Sequence, residues 1–269
     1  MVNLIVSQGR IADRAALMIA GAELTAKALE NRYGIKGNFI GKAASATNDD
    51  WSVSLPQAKE TLTKLKQAIE TSIKSGNKTV MVANTCSASL ASLPVVAQEH
   101  PDAVVLWIDA HGDFNTPKTT DSGYLGGMVV AAACGLWDSG HGAGLQSQQV
   151  ILVGARDIDI AERELLQSYD VRIFPPKNAT AQNILQAING APVWIHIDWD
   201  VLEPGYLPAD YVVPNGMLPN QIKEIIAALP SEKILGIELA EFNATTDNAN
   251  DEKSISIILD IVSPFFDQN

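Results

Sequence analysis

Short runs of apolar, mostly β-branched residues alternate with longer amphipathic stretches along the chain. Eight of the runs predict β-strands: Leu4–Ser7, Gly37–Ile40, Thr79–Ala83, Val104–Ile108, Val150–Val153, Val171–Phe174, Val193–Trp199 and Ile234–Leu239. The stretches between them predict helices: Ala15–Asn31, Pro56–Lys74, Ser87–Glu99, Leu125–Leu136, Asn220–Leu229 and Ser254–Phe265. Several strand runs are apolar throughout, which is typical of parallel strands covered by helices on both faces.

This alternation predicts an α/β fold with three layers, α/β/α, around a mostly parallel sheet of about eight strands. No linker, internal repeat or low-complexity stretch divides the chain, so we expect residues 1–269 to form a single domain. The carboxyl ends of the strands are where ligands bind in open α/β sheets. Chemistry is therefore expected in the segments that directly follow strands.

Composition narrows the class of partner and the compartment. The net charge of -12 argues against a nucleic-acid partner or an anionic membrane, because both carry negative charge. The two cysteines, Cys86 and Cys134, are too few for a disulfide framework, so a reducing cytoplasm is expected. No apolar run approaches the roughly 18 residues that a transmembrane helix requires.

Two predicted strands end in acidic clusters. Asp109, His111 and Asp113 follow one strand at every second position, and Asp198 and Asp200 close another with the same spacing. In an extended segment such residues point to the same side. Several unpaired carboxylates in one pocket would repel each other, and bound divalent cations remove that repulsion. The two segments together predict a site for a pair of divalent metal ions.

The amino-acid sequences of these two segments resemble those of a known family. The residues Asp-Ala-His-Gly-Asp-Phe-Asn-Thr-Pro at 109–117 and Asp-Trp-Asp-Val-Leu-Glu-Pro at 198–204 resemble the paired signature of the arginase/agmatinase/formiminoglutamase (ureohydrolase) family. The resemblance implies an arginase/deacetylase-like fold and hydrolysis of a guanidino or amidine C–N bond by metal-activated hydroxide. It also implies manganese as the first choice of metal, with zinc and nickel as alternatives, and a homo-oligomer, either a trimer or a hexamer.

Roles for the acidic cluster follow from the resemblance. It implies that Asp109 and Asp198 bridge both metal ions. Asp113 would bind the first ion and orient the attacking hydroxide, while His111 and Asp200 would bind the second ion. These five residues are the metal ligands that the two segments predict.

The resemblance also implies how a small guanidino or amidine substrate is held. Glu241 matches the carboxylate that pairs with the guanidinium group. Asn115 and Ser122 match positions that receive an α-carboxylate, and Asp159 and Glu162 match positions around an α-amino group. The last four are also ordinary polar loop residues, which leaves a structural interpretation open.

Two positions depart from the family where it keeps histidines. Cys86 stands in place of a histidine ligand of the first metal, and Gly126 stands in place of a histidine that assists proton transfer. Cys86 is interpreted either as a ligand that shifts preference toward zinc or as a small buried residue. Tyr124, near Gly126, is interpreted as a proton donor or as a cover of the pocket. His196 is interpreted as a compensating ligand, a partner of a ligand, or a hydrogen-bonded strand residue.

These departures keep alternatives open. The chain is a metal-dependent amidine hydrolase in the first hypothesis and a catalytically weakened, metal-binding or regulatory relative in the second. A third hypothesis is a deacetylase-like hydrolase that uses a single metal at Asp109, His111 and Asp200. The segment 208–217 also differs from the family's usual Thr-Gly-Thr-Pro, so L-arginine is not assumed to be the substrate. His100 and His141 are expected to be solvated.

Overall fold

The computed structural model describes residues 1–267 and contains one parallel sheet. Its strands are β1 Val2–Ser7, β2 Gly37–Ile40, β3 Lys78–Val82, β4 Val104–Ile108, β5 Val150–Val153, β6 Arg172–Phe174, β7 Val193–Asp198 and β8 Ile234–Ala240. They are arranged in the order β2-β1-β3-β8-β7-β4-β5-β6, and every neighbouring pair is parallel. The predicted eight-stranded parallel sheet is therefore confirmed.

Helices cover both faces of this sheet. They are α1 Met18–Tyr33, α2 Trp51–Lys74, α3 Ser89–Glu99, α4 Val129–Ala133, α5 Ile160–Ser168, α6 Ala181–Ile188, α7 Pro219–Ala228 and α8 Asn248–Asp267. One buried apolar cluster packs helices α1, α6, α7 and α8 against one face of the sheet. A second packs helices α2, α3, α4 and α5 against the opposite face. The result is the expected three-layer α/β/α arrangement. In the described part of the chain, no helix combines the length and hydropathy needed to cross a bilayer.

The helix prediction was wrong in three places. The predicted helix 125–136 is only a 3-10 turn at Gly126–Met128 followed by five residues of α4. Adjacent glycines weaken helix propagation there, and Gly135, with a φ of +78°, ends it. Helices α5 and α6 were missed because both are short, and α5 buries only Glu162 and Leu166.

The order of the strands places the chemistry at the centre of the sheet. β3, β8, β7 and β4 are consecutive neighbours, and their carboxyl ends lie at one edge because all are parallel. The segments that leave these strands carry Cys86, Glu241, Asp198 and Asp109, respectively. Four segments that are distant in the chain therefore meet at one place.

Candidate active site

The first cluster at this edge, which we call the histidine side, consists of Asp109, His111 and Asp200. Their ligand atoms all lie within 4.8 Å of one another. The Nδ1 atom of His111 is 3.3 Å from Oδ1 of Asp109 and 3.1 Å from Oδ2 of Asp200. Burial disfavours the charged imidazole, but the hydrogen bonds to both carboxylates outweigh it and raise the pKa of His111 above its usual value. The imidazolium of His111 thus balances part of the negative charge of the two carboxylates.

The second cluster, the cysteine side, consists of Cys86, Asp198 and Glu241, again with ligand atoms within 4.8 Å. The Sγ atom of Cys86 lies 3.0 Å from Oδ2 of Asp198, and the Cys86 backbone N–H donates to Oε1 of Glu241 over 2.8 Å. Burial and the nearby carboxylates raise the pKa of the Cys86 thiol. Burial likewise raises the pKa of Asp198 and takes that of Glu241 to about 8.

Asp113 stands apart from these clusters, although it lines the same cavity. Burial, followed by the charge of Asp109, raises the pKa of the Asp113 carboxyl. Asp113 and Glu241 both adopt positive φ angles, 48° and 64°, which non-glycine residues rarely do. Such strain costs on the order of 1–3 kcal/mol per residue and persists where the surroundings impose it, often at functional sites.

A cavity of about 240 Å³ joins the two sides. It is lined by Cys86, His111, Asp113, Asn115, Ser122, Tyr124, Gly127, Asp157, Asp159, Glu162, Asp198, Asp200, Tyr211 and Glu241. Every predicted site residue except Asp109 is in this lining, and Asp109 lies behind His111, 1% exposed. Asp157 and Tyr211 were missed. The spacing of Asp157 from Asp159 was an available signal, whereas no local pattern marks Tyr211.

Three of the four residues predicted to recognise substrate, Asn115, Asp159 and Glu162, are connected by hydrogen bonds, whereas the Ser122 hydroxyl accepts from the Tyr124 backbone N–H. The side-chain amide of Asn115 donates to Oδ2 of Asp159 over 2.8 Å, and Asp159 also caps α5 by accepting from the Glu162 backbone. The Glu162 carboxylate accepts from the Phe114 backbone N–H over 2.8 Å. Burial raises the pKa of Glu162 to about 7. Glu162 therefore supports the segment after Asp113 as well as facing the cavity.

Tyr124 fills the space that a side chain at position 126 would need. A Cβ atom at Gly126 would lie 2.4 Å from Cε1 of the Tyr124 ring, so no larger residue fits there without moving the tyrosine. The Tyr124 hydroxyl donates to Oε1 of Glu241 over 3.0 Å. The ring is thus held against the cavity wall. His100 and His141, by contrast, do not line the cavity. Both are half-buried, whereas the sequence predicted that they are solvated.

The donor set fits a pair of divalent ions. Within residues 1–267, the ion pairs made by the carboxylates of both sides involve His111 alone. Several buried negative charges without basic partners would be costly, and divalent cations would compensate them. Carboxylate and imidazole donors on one side and a thiol with carboxylates on the other suit transition-metal ions.

Known proteins resemble this chain in sequence and in fold. The profile described as "Arginase family" matches residues 14–265. Over 267 residues the chain is 63% identical to a Streptomyces lavendulae protein named N(omega)-hydroxy-L-arginine amidinohydrolase, with 99% of this chain and 98% of that protein covered. An Entamoeba histolytica arginase crystallised with L-ornithine superposes with a TM-score of 0.85 at 20% identity, covering 98% of this chain and 97% of that one.

A Bacillus subtilis arginase superposes with a TM-score of 0.83 at 19% identity, covering 100% of this chain and 99% of that one. At such identities the two superpositions establish the fold, while the profile and the Streptomyces relative establish the family. Arginase-family enzymes depend on two metal ions, and the clusters on the histidine and cysteine sides supply candidate ligands for them. The chain therefore belongs to the arginase family and is a metal-dependent hydrolase of guanidino or amidine C–N bonds.

Proposed function

We propose that this enzyme hydrolyses the guanidino group of an arginine-like amino acid, with N-hydroxy-L-arginine preferred to L-arginine. The observation that carries the proposal is one cavity lined by members of both ligand clusters, among them the buried carboxylate of Glu241. The preference for the hydroxylated substrate is supported by the 63% identity to the Streptomyces enzyme over nearly the full length of both chains. Cys86 and Gly126, where the family keeps histidines, also argue against an ordinary arginase.

We propose that the chain holds two divalent ions. Asp109, His111 and Asp200 would hold one, and Cys86, Asp113 and Asp198 the other, with Asp109 and Asp198 shared between them. Manganese is the first choice because carboxylates and an imidazole dominate, and the Cys86 sulfur keeps zinc and nickel as alternatives. Divalent ions bound there would supply a strong nucleophile from water at neutral pH and polarise the substrate.

The protein side chains then bind and orient the reacting groups. Glu241 pairs with the guanidinium through a charge-assisted hydrogen bond, and the cation favours the ionised carboxylate despite its burial. Tyr124 holds the Glu241 carboxylate in place and is positioned to donate a proton. Asp113 orients the attacking oxygen and accepts its proton. The oxygen of water bonds to the guanidinium carbon and the C–N bond to the amino-acid side chain breaks. The leaving nitrogen takes up both protons of that water, the first by way of Asp113, and departs as an ammonium group.

The amino-acid end of the substrate would lie against the opposite wall. Asn115 and Ser122 would receive the α-carboxylate, and Asp159 and Glu162 would surround the α-ammonium group. The support is positional, because all four line the cavity and two carboxylates on one wall suit a cation. The bond between Asn115 and Asp159 keeps the two recognition groups in register.

The test is turnover combined with a metal count. Purified protein loaded with Mn²⁺ is assayed on N-hydroxy-L-arginine, L-arginine, agmatine and formiminoglutamate, and metal per chain is measured by elemental analysis. We expect hydrolysis of N-hydroxy-L-arginine above all others and two ions per chain. One ion per chain with full activity would support the single-metal hypothesis. No hydrolysis of any of these compounds with Mn²⁺, Zn²⁺ or Ni²⁺ would refute the proposal and leave the regulatory hypothesis.

We further propose that residues 1–269 act as one ureohydrolase-like domain in the cytoplasm, without nucleic acid or membrane partners, and assemble into a homo-oligomer, either a trimer or a hexamer. The parallel sheet that runs through the described chain supports a single domain. The charge of -12 supports the absence of nucleic-acid and anionic-membrane partners. Light scattering coupled to size-exclusion chromatography tests the last, and a monomer at all concentrations would contradict it.

A further inference from the structure

A fully buried ionisable pair lies directly beneath the cysteine side. His196 on β7 and Glu238 on β8 occupy paired positions in the sheet, and both are 0% exposed. The Nδ1 atom of His196 is 2.8 Å from Oε2 of Glu238, and the Ser89 hydroxyl donates to the same oxygen over 2.6 Å. None of these three residues lines the cavity. The mechanism so far gives them no task.

Their contacts fix the orientation of the imidazole ring. The ring stacks on Trp107 with centroids 3.6 Å apart and planes 3° apart, so it cannot rotate without breaking that contact. A carboxylate only accepts hydrogen bonds, which places a proton on Nδ1 of His196. The other ring nitrogen, Nε2, then faces Sγ of Cys86 at 3.3 Å.

The sulfur of Cys86 lies between two acceptors, Nε2 of His196 at 3.3 Å and Oδ2 of Asp198 at 3.0 Å. Because a thiol carries a single proton, Cys86 donates to one of them at a time, and either bond keeps the sulfur between the two. A cysteine side chain has a single rotatable bond before its sulfur, so these contacts select one rotamer. In that rotamer the sulfur lies within 4.8 Å of the carboxylate oxygens of Asp198 and Glu241, so the three atoms could bind the same ion.

Stability alone does not account for the pair. Burying a carboxylate and an imidazole costs several kcal/mol, and well-packed apolar residues often serve as well or better. In the described part of the chain, Oε1 of Glu238 has no hydrogen-bond partner, so the desolvation of this carboxylate is incompletely offset. A buried polar atom without a partner calls for an explanation beyond packing, of which a role at a functional site is one.

We propose that Glu238 and His196 are positioning residues that hold the Cys86 sulfur toward Asp198, so that the cysteine side binds its ion through a thiolate. The proposal rests on the proposed function, because it assigns a task within that site. Outer partners of this kind typically change metal affinity or activity about 10–100-fold when they are lost.

The experiment uses the full chain loaded with Co²⁺, whose thiolate complexes show a near-ultraviolet charge-transfer absorption. Variants His196→Leu, His196→Gln and Glu238→Gln are compared with Ser92→Ala, which alters a buried polar residue on α3 that does not touch His196. Co²⁺ is titrated while absorption and calorimetric heat are followed. We expect His196→Leu to lose the thiolate band and to bind one of two ions about 10–100-fold more weakly. His196→Gln should recover part of the band, and Ser92→Ala should match the wild type.

The outcomes separate the two proposals. A wild-type band and two unchanged affinities in His196→Leu would overturn the positioning role. Absence of a thiolate band in the wild type would also overturn it, while turnover of N-hydroxy-L-arginine would still support the proposed function. A normal band that depends on His196, without any turnover, would refute the proposed function instead. If His196→Leu does not fold, His196→Gln and Glu238→Gln decide, and unchanged spectra in both would overturn the role.

Discussion

The histidine side and the cysteine side share one cavity but differ in how they balance charge. On the histidine side, burial alone would raise the pKa of Asp109, but its hydrogen bonds with His111 outweigh burial and lower it. On the cysteine side, burial raises the pKa values of Cys86, Asp198 and Glu241, and no cationic member of the cluster offsets it. One side is balanced by its own imidazole, and the other depends on an added cation or substrate.

The two sides also differ in construction. Asp109 and His111 are two residues apart, and the His111 backbone N–H donates to Oδ1 of Asp109 over 2.7 Å. Cys86 is separated by 112 residues from Asp198 and by 155 from Glu241, and strand order alone brings them together. Cys86, which stands where the resemblance to the family implies a histidine ligand, lies on this second side.

Removal of metal should give the largest effect and should fall mainly on the cysteine side. We expect chelation to abolish hydrolysis. The chelated protein should also lose stability as pH rises from about 4.5 to about 8, because Glu241 has a folded-state pKa of about 8 and the folded state therefore binds more protons than the unfolded state. Excess Mn²⁺ should oppose this slope, because its proposed ligands Asp113 and Asp198 bind it in their ionised form and binding therefore strengthens as pH rises.

Urea unfolding midpoints across that pH range provide the measurement. Glu241→Gln is the matched variant, because it keeps the shape of the side chain and removes its titration, and its chelated form should have a shallower slope. A chelated wild-type protein that becomes more stable toward pH 8 would contradict the comparison between the two sides.

Asp113→Asn tests whether Asp113, which belongs to neither cluster, orients the attacking oxygen and accepts its proton. The amide keeps the volume of the side chain but cannot accept a proton from the nucleophile. We expect kcat to fall about 10²–10⁴-fold, the usual contribution of general acid–base assistance. Asp102→Asn, an exposed change at the opposite end of β4, is the control. A variant with nearly normal kcat and normal metal content would remove Asp113 from the mechanism.

Tyr124→Phe tests one hydrogen bond of the cysteine side, because it removes the hydroxyl that donates to Glu241. The ring still fills the space beside Gly126, and only the 3.0 Å hydrogen bond is lost. Hydrogen bonds to charged groups contribute about 1.5–3 kcal/mol, which corresponds to about 10–100-fold in kcat/KM. If the hydroxyl only orients Glu241, KM should change most. If it also donates a proton, kcat should fall, and unchanged values of both would refute either role.

Ser122→Ala should give the smallest effect, since it lies on the recognition wall away from both sides. The Ser122 side chain is exposed, so water competes for the substrate carboxylate and the loss of this hydrogen bond costs only about 0.5–1.5 kcal/mol. KM should therefore rise about 2–10-fold with kcat nearly unchanged. The comparison substrate is agmatine, which lacks the α-carboxylate and should not distinguish the variant from the wild type. An equal effect on both compounds would rule out carboxylate recognition by Ser122.

The residues that sequence and structure agree on are those governed by local geometry. Val104–Ile108 is an apolar run and becomes a buried central strand, β4. The alternation of Asp109 and His111 places both near one ion because extended backbone repeats every two residues. Burial of β7 likewise leaves Asp198 and Asp200 at its carboxyl end. Run length and periodicity suffice for these features because they depend on neighbours in the chain.

The remaining features depend on distant parts of the chain. The contacts of Cys86 with His196 and Asp198, and the filling of the Gly126 space by Tyr124, follow no sequence period. The sequence by itself determined the layers, the parallel strands and the acidic ends of two of them, since these follow from the spacing of apolar and charged residues. Only the tertiary structure decided which strands are neighbours, because packing of helices on both faces sets their order, and that order places Glu238, His196 and Cys86 beneath the carboxylates.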